Sequence, residues 1–196
     1  LWYMDEKDAN KNPTGRRVTT NDYSSADYYY VNKSSLPKVY GGFNTSLSWK
    51  GFDLSAIFAY SIGGYIYNRD ITMILHNGSL EGRDWSTEIL RRWTPDNRYT
   101  DVPALSTTSN NWNSASTRFL QNNSYMRLKN LTLSYNLPKQ WISKLSLSSV
   151  QVYVQGDNLF TIHRNQGLDP EQGITGITYY RYPAMRTISG GINLSF

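Results

Sequence analysis

The sequence predicts an all-β fold of antiparallel strands that form part of a large transmembrane β-barrel. Three observations carry this expectation. Five segments alternate apolar and polar residues with period two, the pattern of a strand whose faces meet different surroundings. The polar positions on those strands are mostly Ser, Asn, Thr and Gln, with Lys50, Asp53 and Asp157 as exceptions. Long and short connections alternate along the chain, as do the extracellular loops and periplasmic turns of outer-membrane barrels.

The elements follow in order. Residues 1–38 are expected as an extracellular loop and 39–62 as a hairpin. In its first strand Phe43, Thr45, Leu47 and Trp49 share one face, against Asn44, Ser46, Ser48 and Lys50. Lys50-Gly51 makes the turn. Phe52, Leu54, Ala56, Phe58, Tyr60 and Ile62 resume the alternation, with Ile57 as the misfit. Residues 63–118 form a long extracellular loop expected to hold two small helices. Tyr67, Ile71, Ile74 and Leu75 recur at helical spacing, and so do Trp85, Ile89 and Trp93; Asp84 suits an N-cap, and Pro95 follows the second helix.

The third strand lies within 119–137. Leu131, Leu133, Tyr135 and Leu137 face one way, but Tyr125 to Lys129 has the opposite parity. A bulge near Lys129 reconciles the two, because one extra residue flips every following side chain. Pro138 stops the strand, and a helical turn is expected at Gln140–Lys144. The fourth strand, 148–160, sets Val150, Val152 and Val154 against Gln151, Tyr153 and Gln155. Residues 161–185 are an extracellular loop. The last strand, 186–196, carries Ile188, Gly190, Ile192, Leu194 and Phe196 on one face.

Composition agrees. The 196 residues are 14% aromatic and 18% charged, against about 25% charged in a soluble domain. No stretch approaches the roughly 18 consecutive apolar residues of a spanning helix. There is no cysteine, so disulfide frameworks and thiol chemistry are excluded. The net charge of +5 is spread along the chain, with Arg16-Arg17 and Arg91-Arg92 as its adjacent basic pairs, so no nucleic-acid partner is expected. The chain starts without an initiator Met or a signal peptide and reads as a piece of a longer precursor.

Period-two strands also suit a soluble sandwich. The barrel is favoured by small uncharged polar residues on the second face and by aromatics near strand ends. Trp49, Phe52, Tyr60 and Tyr135 are expected in the membrane's aromatic girdle. Ile192, Leu194 and the terminal Phe196 close an amphipathic strand, which resembles the signal recognised by the outer-membrane insertion machinery. If that strand ends in the periplasm, every short turn falls on the periplasmic side and every long loop outside. Five strands cannot close a membrane barrel, since the smallest has eight; the chain is expected to be a C-terminal fragment.

Several runs then point to a family. Tyr125-Met126-Arg127-Leu128-Lys129-Asn130-Leu131-Thr132-Leu133-Ser134-Tyr135-Asn136-Leu137-Pro138, Val152 to Thr161 (VYVQGDNLFT) and Gly167-Leu168-Asp169-Pro170-Glu171 resemble SusC/RagA-type TonB-dependent transporters of Bacteroidetes. So do Pro37 to Phe43 (PKVYGGF), Arg92-Trp93-Thr94-Pro95, Asp101-Val102-Pro103 and Tyr182-Pro183. The resemblance implies a 22-stranded barrel with a plug in its lumen. It also implies an outer-membrane location and import of oligosaccharides or peptides. Its implied partners are a SusD-like surface lipoprotein, the remainder of the transporter including the plug, and the TonB complex, reached through an N-terminal part that lies outside this sequence.

No catalytic constellation is present, so no enzyme activity is expected. His76 and His163 are the histidines, both in long loops. Asp84, Glu88 and Arg92 read as an ion pair along a helix face. The Asp96–Asp101 loop offers oxygens for calcium but holds Arg98 and fails the EF-hand spacing, so no cofactor or metal is assigned. The candidate contacts for cargo or lipoprotein are Trp85, Trp93, Trp112, Tyr179, Tyr180, Arg181 and Tyr182. A competing reading packs Trp85, Ile89 and Trp93 into the loop's own core. The alternative for the whole chain is a secreted β-sandwich, a carbohydrate-binding or adhesin module whose apolar faces would meet in one dry core.

Overall fold

The computed structural model describes residues 2–76, 78, 82–106, 111–143, 147–171 and 175–196. They fall into two units: Leu1–Lys33 with Asn68–Leu120, and Ser34–Tyr67 with Gln121–Phe196.

The first unit opens with an antiparallel hairpin, β1 (Trp2–Lys7) and β2 (Pro13–Thr20). This hairpin stands within the segment expected as an extracellular loop, 1–38. Its turn is set by Asp8, whose Oδ1 accepts the backbone N–H groups of Asn10 and Asn12 at 2.9 and 2.8 Å. Helix α1 (Arg69–Ile74) confirms the first expected helix; Asn68 caps it by accepting the Ile71 N–H. The second expected helix is a 3₁₀ segment, Thr87–Arg91, and its cap is Ser86, not Asp84. The Ile89 and Arg92 N–H groups donate to the carbonyls three residues back, those of Ser86 and Ile89, which is the spacing of the tighter winding. Among the described residues, Leu75, Ile89, Val102 and Phe119 are this unit's buried apolar ones.

The second unit holds most of the sheet structure. Its strands are β3 (Pro37–Trp49), β4 (Phe52–Gly63), β5 (Tyr65–Asn68), β6 (Leu120–Asn122), β7 (Tyr125–Asn136), β8 (Ser149–His163), β9 (Ile177–Thr178) and β10 (Thr187–Ser195). β5 and β6 each reach across the boundary between the units. Five strands form one antiparallel sheet in the order β10-β8-β7-β4-β3, and β6-β5-β9 form a small second sheet. The expected strand over 119–137 is therefore two strands in two sheets, broken at Asn123-Ser124. The fourth strand runs past 160 to His163, because Thr161 and His163 still pair with Arg127 and Tyr125. Helix α2 (Lys139–Ile142) supplies the turn expected at Gln140–Lys144; Lys144 lies outside the described residues.

Register fixes the two faces. Residues directly opposite in a ladder share a face. Leu47↔Leu54, Leu54↔Leu133, Leu133↔Val154 and Val154↔Gly190 form one such row. Trp49↔Phe52, Phe52↔Tyr135, Tyr135↔Val152 and Val152↔Ile192 form the next. The apolar face thus runs without interruption over all five strands. It is bare: Leu47 is 66% exposed, Ile192 63% and Val154 48%. The dry core that a sandwich requires is missing from these residues, and that alternative fails.

The other face is polar and internally bonded. Asn130 donates to Asp157 at 2.8 Å, Gln151 to Ser134 at 3.2 Å and Asn193 to Gln151 at 3.2 Å. Arg127 also lies on this face, opposite Ala59, a further charged exception beside Lys50, Asp53 and Asp157. Ile57, opposite Asn44 and Asn130, is the apolar misfit there.

The bulge sits where parity demands it. Phe58 pairs with Leu128 and Ile57 with Asn130, leaving Lys129 as the extra residue. On the other side Asn158 and Leu159 lie opposite that single lysine, and Asn158 takes φ 52°. Met126 and Leu128 before the bulge and Leu131 and Leu133 after it consequently face the same way.

The Lys50-Gly51 turn, the α2 connection and the last residues of β10 share one end of the sheet, where the Ser148 N–H donates to the Ser195 carbonyl at 2.8 Å. The long connections leave from the other end. Phe52 and Tyr135 meet at the turn end with their rings tilted by 35° and the centroids 4.4 Å apart, and Trp49 lies opposite Phe52. Tyr60 lies eight positions further along β4, ~27 Å along the strand. Among the described residues no helix is long and apolar enough to cross a membrane.

Candidate functional site

Where β8 outruns β10, the chain makes a loop, 164–186, whose described residues are tied to the sheet by several hydrogen bonds. β10 begins opposite Asp157, so residues 160–163 pair only with β7. The loop folds against this projecting end and is anchored on Arg127, which β7 presents from its polar face.

Arg127 is 3% exposed, and each of its three guanidinium nitrogens donates a hydrogen bond. Its Nε–H donates to Thr161 Oγ1 at 2.8 Å, Nη2 to Asp169 at 2.6 Å and Nη1 to Glu171 at 2.7 Å. Lys129 Nζ reaches the same Glu171 at 2.9 Å. Arg127 and Lys129, two apart on one strand, both serve the one loop. Asp169 in turn accepts the backbone N–H of Ala184 at 2.6 Å and of Glu171 at 2.9 Å. Burial opposes its charge, but these two N–H groups and the Arg127 guanidinium prevail and hold its carboxyl below the usual carboxylate range. The start of the loop is tied too: Asn165 donates to Asn123 at 3.0 Å, and Asn123 donates to the Pro170 carbonyl at 2.8 Å. Gly167, at φ 68°, allows the reversal between them.

The loop's two arms and β8 enclose a cleft of about 540 Å³. Arg127, Asp169, Arg181 and Arg186 are among the residues that line it. Of the predicted contacts Tyr179, Tyr180, Arg181 and Tyr182, Arg181 lines it; Tyr179 and Tyr180 pack on each other at 4.0 Å, and Tyr182 is 98% exposed.

The tryptophans belong to the other unit. Trp85 donates its Nε1–H to His76 Nδ1 at 3.2 Å, and Trp112 donates to the Leu75 carbonyl. Both indoles are thus fastened to the residues just after α1. Burial pushes the His76 imidazole below its usual range. Arg118 stacks over Trp112 at 3.9 Å. The Trp93 backbone N–H donates to Val102 at 2.8 Å. Trp85 and Trp93 keep 42% and 44% of their surface, while Ile89 is buried. The packed face is therefore Ile89 rather than the three residues together.

The ion pair expected from Asp84, Glu88 and Arg92 is instead Glu88 with Arg91 at 2.7 Å. In a 3₁₀ turn residues three apart are aligned. Arg91 also meets Asp101 at 3.4 Å. Among the described residues no group of three or more His, Cys, Asp or Glu could hold a metal ion.

The Arg127–Asp169 anchor was missed in the sequence, although both residues lay in runs that had been singled out. The available signal was Arg127 at an inward parity position, where the other polar residues are mostly small and uncharged.

No family model matches the chain. It is 34% identical over 166 residues, 79% of its length, to TonB-dependent receptor P3 of Formosa agariphila, and covers 16% of that protein. Against receptor P26 of the same organism identity is 31% over 182 residues, 88% of this chain and 18% of the relative. TonB-dependent receptor SusC of Bacteroides thetaiotaomicron is 28% identical over 168 residues, 85% of this chain and 16% of that one. The chain thus spans less than a fifth of these relatives. Among solved structures, the RagAB peptide importer in its closed-closed state superposes with a TM-score of 0.78 at 33% identity, and in its open-open state with 0.79 at 32%. Both superpositions cover 100% of this chain and 22% of the solved one.

Proposed function

The chain belongs with the SusC/RagA-type TonB-dependent receptors as a segment of their barrel, and on that premise we propose that it helps form an outer-membrane transporter importing oligosaccharides or peptides. The relatives are receptors and transporters rather than enzymes. The observation that carries the reading is the pair of faces. A bare apolar face on five consecutive strands suits lipid, and a polar face bonded within itself suits a wet, plugged lumen. Two open edges, β3 and β10, await further strands, because unpaired backbone groups in lipid cost several kcal/mol each.

In this reading β10 with Ile192, Leu194 and Phe196 carries the assembly signal. Residues 1–38, 63–118 and 161–185 lie outside the cell, the first including the β1–β2 hairpin. Trp49, Phe52 and Tyr135 mark the periplasmic boundary and Tyr60 the outer one. With strands tilted by roughly 40°, the two boundaries stand ~21 Å apart, close to the apolar band of such barrels. A SusD-like lipoprotein caps the outer end, and Trp85, Trp93, Trp112, Tyr179, Tyr180, Arg181 and Tyr182 face it or the cargo. The plug and the TonB complex act through the rest of the polypeptide.

The test is co-purification and uptake. The complete receptor, affinity-tagged, should bring down a surface lipoprotein. A mutant lacking the receptor should lose energised uptake of its cargo and regain it from a plasmid copy. Unchanged uptake without the receptor would overturn the reading.

A further inference from the structure

The cleft at the top of β8 has unbalanced charge. Arg127 and Lys129 are matched by Asp169 and Glu171, so these four charges cancel among themselves. Arg181 and Arg186 line the same cleft and are exposed. Among the described residues neither has a carboxylate within ion-pair distance.

The walls are held without them. Ala184 is fastened to Asp169, and Asn158 Nδ2 donates to the Met185 carbonyl at 3.1 Å. Both bonds fix the backbone between Arg181 and Arg186, so the two guanidiniums border a cavity whose shape does not depend on them. A guanidinium offers a planar fork of donors that matches a carboxylate or a sulfate. Uncompensated positive charge beside low-dielectric protein also draws anions from a distance.

We propose that this cleft binds an anionic group, a carboxylate or a sulfate ester, carried by the cargo, and that Arg181 and Arg186 hold it. That the carrier is cargo rests on the transporter reading; the anion site itself does not.

The experiment uses the complete receptor, purified in detergent. Fluorescence polarisation follows labelled tetragalacturonate, a galactotetraose sulfated on each residue, and neutral galactotetraose. At least one anionic probe should bind more tightly than the neutral one, with affinity falling as salt rises. Arg181→Gln and Arg186→Gln should each weaken that binding by about ten-fold, the order expected for one charge-assisted contact. The double variant should bind the anionic and neutral probes alike. Whichever anionic probe binds identifies carboxylate or sulfate. Equal binding of all three probes by the wild type, or an unaltered preference in the double variant, would overturn the proposal. A second arm separates it from the reading it rests on. Tyr182→Cys should react with a membrane-impermeant maleimide on intact cells; failure to label would count against the outward orientation and leave the anion result standing.

Discussion

Arg127 and Asp169, 42 residues apart in the chain, meet at 2.6 Å with both side chains almost wholly buried. One comes from the polar face of a strand, the other from a long loop. Their pairing converts that loop from a tether into a fixed wall. A buried pair contributes little net stability relative to apolar packing, but breaking it strands the surviving charge.

Arg127→Met should therefore release the loop. The expected cost is about 3–5 kcal/mol, the penalty for leaving a buried charge unpaired. Hydrogen exchange on the complete receptor should show faster exchange over 165–186, with β3 and β4 unchanged. Adding Asp169→Asn should recover part of the loss, since no orphan charge then remains; purely additive losses would deny the coupling.

The same pair sets a pH dependence. The folded-state pKa of Asp169 is depressed, so its contribution is present above the unfolded value of about 3.9 and is lost as pH falls through the lower folded value. Exchange protection of the loop, corrected for intrinsic rates, should be flat between pH 8 and 5 and should fall at pH values below about 4. Loss of protection near neutrality would contradict this sign.

Substitutions on adjacent β7 positions should differ because they sit on opposite faces. Leu131→Arg places a cation on the apolar face near mid-strand and should cost ~2–4 kcal/mol. Thr132→Arg points into the lumen and should be far milder. Urea titration of the receptor refolded into vesicles reads both. Equal costs would mean that the faces are misassigned.

Removing Phe196 should impair assembly. The residue is 91% exposed and continues the parity of Ile192 and Leu194 one step past β10. The fraction of receptor showing heat-modifiable mobility should drop in the truncated form, and Phe196→Tyr should retain more of it than Phe196→Ser.

Much of this fold is legible in the sequence where two environments act on alternate residues. β3, β4, β8 and β10 declare themselves by period two, and even the Lys129 bulge follows from a parity conflict. Elements held by local polar bonds are not legible in that way. The β1–β2 hairpin rests on Asp8 and its turn, and the Ser86 cap displaces Asp84 because a short 3₁₀ segment begins later than helical spacing suggests. The anchor of the 164–186 loop joins residues 42 apart, a separation that no periodicity reports. The aromatics at strand ends were visible, but the cleft beside Arg181 exists only once the loop is folded.

The central claim is that the sheet divides lipid from lumen, residue by residue. Spin labels placed singly from Leu128 to Tyr135 in the complete receptor, reconstituted in vesicles, test it through their accessibility to oxygen and to a water-soluble nickel complex. Leu128, Leu131, Leu133 and Tyr135 should favour oxygen and Asn130, Thr132 and Ser134 the nickel complex, with the alternation reset once at Lys129. Uniform accessibility, or an alternation that runs through Lys129 without a shift, would contradict the account.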